Sequence, residues 1–598
     1  MTARKQQALE RRIAAAKLAY DRPHAQQQAN GEELKYRYDE PDNKYRTVKA
    51  SLLANYTKGL PHDEKDGQNC HPADYQMIVR GLDSGSTRES QDTPLGPKGS
   101  GHAAPDKFDK PVEWKSKYTQ CQGKSVEVRA WESAAAGLAF DLEGPDAQSL
   151  AMPPAPTVDS AEFVAEVAEV YEMALLRDVP FTEFSSSATV AAAIERLNNL
   201  DWFQSTPLPL SETENNRRRG LLTPDNAFRG TAFGDTEGPY ISQFLCRGTP
   251  ELGSDKDGVL DGLVAYGAMV FDHKVRTATP NRDYMITWEW WLDVQNGADL
   301  RGAETYENGE NKYRFIATPR DLATYVHYDA LYQAYLNACL SMIAMRVPFD
   351  PGIPFQEQDT IDHQQGFAHF GGPHILSLVT EVATRALKAV RYQKFNVHRR
   401  LRPEVIAGRI HQWRNTQLPA LAPVADLSNH ISETLHKVAL HNKAQNEQYR
   451  TELGHSCYEF DRDDVYLLPM AFAEGSPMHP AYGAGHATVA GACVTILKAF
   501  FDHGYVLPRP YVVSTDGSEL TSVQDPCLTL TVEGELNKLA SNISIGRDWA
   551  GVHFFTDYYE SIRMGEQIAL GILAEQKLTY GENFSMTVPL FDGGCVRI

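Results

Sequence analysis

Beyond Pro156 the chain reads as helices. Phe163, Val164, Val167, Val170, Tyr171, Ala174 and Leu175 fall on one stripe that ends near Pro180. Apolar residues recur every three or four positions in four further windows, residues 321–345, 375–394, 486–501 and 551–575. Residues 505–513 and 527–532 read as extended, the second alternating polar with apolar, and together they predict a small hairpin. No β-α-β alternation and no internal repeat is visible. The pattern predicts a mainly α protein built as helical bundles.

Before about Leu150 the pattern fades. Residues 81–111 are rich in Gly, Ser, Asp and Pro and read as an extended loop. So few apolar groups do not offset the backbone entropy of ordering. The expectation is an irregular N-terminal arm over residues 1–150, either disordered or laid on another subunit, followed by a catalytic region over 151–598.

Composition narrows the function. The 598 residues carry 58 Lys and Arg against 78 Asp and Glu, a formal charge of −20, which argues against a general nucleic-acid binder. No apolar run is long enough for a transmembrane helix, so no membrane partner is expected. Residues 1–28 hold only a short apolar island at 13–16, too short for the core of a secretory signal. The chain is expected to be cytoplasmic or a mature product without its leader, and the compartment stays open. Eight scattered cysteines form no C-x-x-C pair, so a cysteine-based metal or redox site is disfavoured.

Three segments carry candidate chemistry. In Arg391-Tyr-Gln-Lys394, continuing the stripe of Ala383, Leu387 and Val390 places both cations on the core-facing side. Buried cations require an anion. Arg402 follows and precedes Pro403, which biases it away from helix. In the second segment, His479 leads to Gly483-Ala484-Gly485-His486 at the start of an apolar helix. Exposed amides there form an oxyanion site that glycine lets the backbone approach. In the third, Arg547 precedes His553 and Asp557, four residues apart and so expected to share a helix face. A carboxylate on one imidazole nitrogen fixes the tautomer and frees the other. The set suits a tetrahedral oxyanion such as phosphate or vanadate.

The chain resembles the vanadium-dependent haloperoxidases, in particular bromoperoxidases of red-algal and cyanobacterial type. Their pattern is a Lys, an Arg-Pro, a Ser-Gly-His before a helix, and an Arg followed six residues later by a His. Lys394, Arg402-Pro403, Gly485-His486, Arg547 and His553 fill those places, and His479 matches the extra histidine of bromoperoxidases. Where the family has Ser, this chain has Ala484, removing one hydroxyl hydrogen bond; weaker vanadate retention or a compensating donor is expected.

The resemblance implies two four-helix-bundle-like cores of the acid-phosphatase/vanadium haloperoxidase kind, with the oxyanion site within residues 375–570. It implies vanadate as cofactor, bound to the His553 nitrogen and held by Lys394, Arg402, Arg547 and the Gly485 amide. His486 would be the general acid–base, tuned by a hydrogen bond from His479. Lys394 would polarise the bound oxidant, Arg391 would meet the halide, and Asp557 would support His553. Hydrogen peroxide, bromide or iodide, and small organic acceptors are the implied partners, and a homo-oligomeric dodecamer the implied assembly. Within Phe355-Gln-Glu357-Gln-Asp359-Thr-Ile-Asp362-His-Gln364, the carboxylates and an amide form an all-oxygen set that suits a structural calcium. By resemblance the Phe355 position contributes its carbonyl. The alternative function is a histidine-type acid phosphatase, with the same oxyanion site and His553 as nucleophile.

Overall fold

The structure is a computed structural model that describes residues 2–35, 53–69, 72–86, 88, 92–96, 128–204, 207–250, 259–356, 363–453, 458, 460 and 462–598. Twelve helices of ten or more residues dominate the described residues. They are α1 Thr2–Asp21, α2 Pro72–Ser84, α3 Ala161–Leu175, α4 Ala188–Asn198, α5 Pro319–Tyr328, α6 Gln333–Ala344, α7 Gly372–Tyr392, α8 Pro403–Thr416, α9 Ser432–Leu453, α10 Gly485–Phe500, α11 Val532–Trp549 and α12 Phe555–Lys577. Among the described residues, strands occur as four two-stranded antiparallel ladders. The mainly α expectation holds. No helix is long and apolar enough to cross a membrane among the described residues.

α10 is the hub, buried along nearly its whole length and flanked by α7, α11 and α12. α3 lies against α9 and α11 in a second group, and one continuous apolar core joins the two. Two glycines allow α10 and α12 to approach closely. A Cβ on Gly491 would sit 1.9 Å from the Ile562 carbonyl oxygen, and one on Gly565 would sit 2.1 Å from that of Thr488.

Several boundaries differ from the sequence reading, each for a local reason. The single helix expected over 321–345 is two, because the backbone turns extended at Asp329 (ψ 149°) and Leu331 is left-handed (φ 34°). α5 opens on a Thr318–Asp321 capping box with Pro319 in its first turn. α11 is a further helix whose apolar stripe of Val532, Leu536, Leu539 and Ile543 is interspersed with polar residues that the core buries; its Lys538 pairs with Glu535 there. The hairpin pairs Tyr511–Val513 with Leu520–Ser522. Residues 527–532 add only the bridge Val506–Thr531, and Thr531 caps α11 by accepting from the Gly534 amide.

The arm is less irregular than expected. α1 and α2 are regular, and the end of α2 takes in Gly81–Ser84. Residues 53–69 are built into the body of the same chain. The Tyr56 amide donates to the Arg399 carbonyl (2.9 Å), the Leu401 amide to that of Ala54 (3.0 Å), and buried Lys58 pairs with Glu404 (2.8 Å).

Gly491→Ala is expected to lower stability by about 1–3 kcal/mol through overpacking at the α10–α12 crossing. Thermal unfolding monitored by circular dichroism checks this; an unchanged midpoint would show that the crossing yields freely.

Candidate active site

α7 does not stop at Tyr392 but widens into a π-helical turn, Gln393–His398, that ends at Arg399 with φ 43°. That turn buries Lys394, whose Nζ donates to the carbonyls of Pro480 (2.7 Å) and Ala481 (3.0 Å). Arg402 is extended (ψ 158°), as its proline neighbour requires, and sits at the N-cap of α8. Its guanidinium donates to the carbonyls of His479 (3.0 Å) and Val552 (2.8 Å) and meets the rings of His553 (2.9 Å) and His479 (2.8 Å). Arg547, in the last turn of α11, donates to the Val326 carbonyl (2.8 Å), while its Nε is buried without a partner.

All three cations therefore meet only neutral acceptors, and none forms an ion pair among the described residues. Burial, then Arg402 and Arg391, pushes the Lys394 pKa well down. Burial brings Arg402 and Arg547 down to about 10. Such charges are destabilising until an anion arrives.

The histidines are held as neutral rings. His553 lies in the turn before α12, and Asp557 is the third residue of that helix. Their contact, Nδ1 to Oδ2 at 2.8 Å, thus spans a helix start rather than a shared helix face. Asp557 also accepts from the Phe554 amide (3.1 Å) and from Arg400 (2.8 Å), and Arg400 continues to Glu166 (2.8 Å). Burial opposes the charge on Asp557, yet Arg400 and His553 hold its pKa below the carboxylate range. The anion accepts the Nδ1 proton, so Nε2 of His553 is unprotonated and accepts from the Arg402 guanidinium (2.9 Å). Burial, then Arg402, keeps this ring from protonating.

Ala484 caps α10 with no side-chain bond, and the Gly485 and His486 amides have no protein acceptor among the described residues. A Cβ on Gly485 would lie 3.2 Å from an Arg391 Nη, so the close approach there favours glycine. His486 Nε2 lies 2.9 Å from Asp329 Oδ1. Burial lowers the His486 pKa while Asp329 opposes.

A cavity of about 310 Å³ gathers His479, Gly485, His486, Arg547, His553 and Arg391 on its walls. Lys394 and Arg402 stand behind it through the 479–481 backbone. One expectation is corrected. His479 Nδ1 accepts from Arg402 (2.8 Å), with the Pro480 carbonyl 3.2 Å away, and its Nε2 lies 3.4 Å from Glu132; the hydrogen bond that His486 makes is to Asp329. Arg391 faces the cavity as expected; its Nε donates to Glu132 (2.7 Å), and one Nη is buried and unpartnered. Asp329 and Glu132 were missed because each is a lone acid far along the chain from its partner, Asp329 lying 157 positions before His486. Of the calcium set, Glu357, Asp359 and Asp362 lie outside the described residues; Phe355 and Gln364 are described, with no ligand arrangement to report.

Comparison with known proteins agrees with this geometry. A family model described as the VCPO second helical-bundle domain matches residues 463–579. The vanadium-dependent bromoperoxidases of Corallina pilulifera and Corallina officinalis are 49% and 48% identical, covering 98% of this chain and 97% of each relative. This chain belongs to the vanadium-dependent bromoperoxidases. A third member, from Ascophyllum nodosum, is 32% identical over 77% of this chain and 76% of its own. The homohexameric second vanadate-dependent bromoperoxidase of Ascophyllum nodosum superposes with a TM-score of 0.77 at 26% identity, covering 100% of this chain and 90% of that one. In this bromoperoxidase family member the helix start carries no hydroxyl of its own at Ala484, whose amide donates to the Ser561 hydroxyl (2.8 Å).

Asp329→Asn removes the anion that favours protonated His486, so the His486 pKa must fall further. Histidine NMR titration with and without the substitution checks the sign; an unmoved or rising midpoint would mean that Asp329 does not set it.

Proposed function

We propose that this chain binds vanadate and oxidises bromide, and iodide, with hydrogen peroxide to hypohalous acid, which halogenates small organic acceptors. The observation that carries the reading is the trio of buried cations without carboxylate partners near the unprotonated Nε2 of His553. Near-full-length identity to named bromoperoxidases supports the same activity. The donor set fits an oxyanion of this size and charge: three cations, two free helix amides, and unpartnered nitrogens on Arg391 and Arg547.

In this reading Lys394, Arg402, Arg547 and the Gly485 amide hold the vanadate oxygens, and His553 Nε2 ligates the metal. Bound vanadate supplies Lewis-acid activation of peroxide without a change of oxidation state. His486, neutral at its Asp329 contact, accepts and returns a proton. Arg391 offers its free Nη to the halide, with Glu132 orienting it. His479 packs the Arg402 fork in place. The balance, H2O2 + Br− + H+ giving HOBr + H2O, consumes one proton per turnover.

Two finer points belong to the same proposal. A homo-oligomer fits the exposed stripe of Leu9, Ile13 and Tyr20 on α1, spaced by four and seven residues; the dodecamer is the assembly we propose from the resemblance. A structural calcium at residues 355–364 rests on the oxygen-rich ligand set alone.

Dye bromination with peroxide and bromide is expected only after vanadate is added, and to be lost in His553→Ala. Vanadate-blocked phosphatase activity without bromination would replace this reading by the phosphatase one. Ala484→Ser is expected to tighten vanadate binding roughly 10- to 100-fold, the effect of about 1.5–3 kcal/mol for a bond to a charged group. Equilibrium dialysis measures it, and an unchanged Kd would mean that the amides already satisfy that oxygen. Light scattering is expected to show a homo-oligomer that Ile13→Asp shifts to smaller species; a monomer would overturn the arm's assignment.

A further inference from the structure

The turnover consumes a proton, and the groups described so far return no more than they accept. On the cavity wall beside Arg547 lie His327 and Glu474, with Glu304 directly behind. We propose that the carboxyls of Glu304 and Glu474 share one proton and, through His327, supply it to the cavity where bromide is oxidised. The inference rests on the activity proposed above.

The geometry makes both acids hard to ionise together. Ligating atoms of Glu304, His327 and Glu474 all lie within 4.8 Å of one another. Two carboxylates that close retain a proton between them. Each is fixed by its own contacts. Glu304 accepts the Ala473 and Gly302 amides, both at 3.0 Å. Glu474 Oε1 meets His327 Nε2 at 2.9 Å, and its buried Oε2 has no hydrogen-bond donor assigned to it. That leaves a lone pair for a proton carried by the neighbouring acid.

The surroundings set which acid holds the proton. Burial and the Glu474 charge raise the Glu304 pKa. Burial works against the Glu474 anion, but His327 and Arg129 hold its pKa low. Lys58, Arg301 and Arg547 also act on Glu474. Tyr284, Tyr306 and Tyr328 face Glu304, all of them uncharged through neutral pH because burial raises their pKa. The nearby cations Arg129, Lys58, Arg301 and Arg547 also disfavour a divalent metal, the other occupant that two glutamates and a histidine suggest.

Position suits delivery. Glu304 keeps partial exposure as a residue, the side from which a proton would be replaced, whereas Glu474 and His327 border the cavity. The His327 ring stacks on Phe472 (3.7 Å between centroids), which holds it against Glu474.

The test starts with the vanadate-free protein. Infrared spectra at neutral pH should show a protonated carboxyl band that Glu304→Gln removes. In the vanadate-loaded enzyme, Glu304→Gln should lower kcat for bromination about tenfold or more at neutral pH. The loss should shrink toward acid pH, where solvent protons substitute, with the bromide KM and vanadate Kd within about twofold of wild type. Glu304→Asp should recover part of kcat. Absence of the band, a kcat ratio flat across pH, or stoichiometric zinc or manganese uptake abolished by Glu474→Gln would each overturn the shared proton. Should wild type fail to brominate at all, the proposed activity falls, and with it delivery into turnover, whereas the infrared band reports on the shared proton alone.

Discussion

Uncompensated positive charge organises this molecule. Arg400 and Arg402 are two residues apart, both buried, and opposite in circumstance. Arg400 binds the carboxylates of Asp557 and Glu166, and its pKa is raised despite burial. Arg402 meets only carbonyls and imidazoles, and its pKa falls to about 10. Lys394 and Arg547 repeat the second condition from other elements. Burying an unpaired ion costs several kcal/mol even after relaxation. A fold that holds three such ions together favours the arrival of an anion among them. The carbonyls of Val326, His479, Pro480, Ala481 and Val552 keep them aimed inward in the meantime.

The paired charges do a different job. The Glu166–Arg400–Asp557 chain ends on the Nδ1 of His553 and decides which of its nitrogens carries a lone pair. Without it the ring would be free to turn or to exchange tautomers, and the cations would surround an undefined ligand. Affinity and orientation thus come from separate sets of residues that meet only at His553.

Much of this was legible in the sequence, for definite physical reasons. Cations continuing a buried stripe, an Arg before Pro, a Gly-rich helix start and a His–Asp spacing of four are local patterns, and local patterns survive in one dimension. What escaped was of two kinds. α11 carries an apolar stripe, Val532, Leu536, Leu539 and Ile543, but intersperses it with Glu, Asn, Lys and Ser residues that are themselves buried, so it reads as surface. Asp329, Glu132 and the Glu304–Glu474 pair act across long sequence separations, where a single acid looks like any other. The split of the expected 321–345 helix belongs to the same class: nothing in the apolar periodicity marks Asp329 as a break.

That break links the separate parts of the site. Over four residues, the end of α5 gives the Val326 carbonyl to Arg547, the His327 ring to Glu474 and the Asp329 carboxylate to His486. In an uninterrupted helix, turning about 100° per residue, the side chains of 327 and 329 would leave on nearly opposite faces. Turning extended at Asp329 lets the same short segment reach a cation, an acid and a base in one cavity. A shift of this turn would move the partners of Arg547, Glu474 and His486 together. The capping box at Thr318 and the buried face of α5 therefore stabilise more than a helix; they fix the relative positions of three chemical functions.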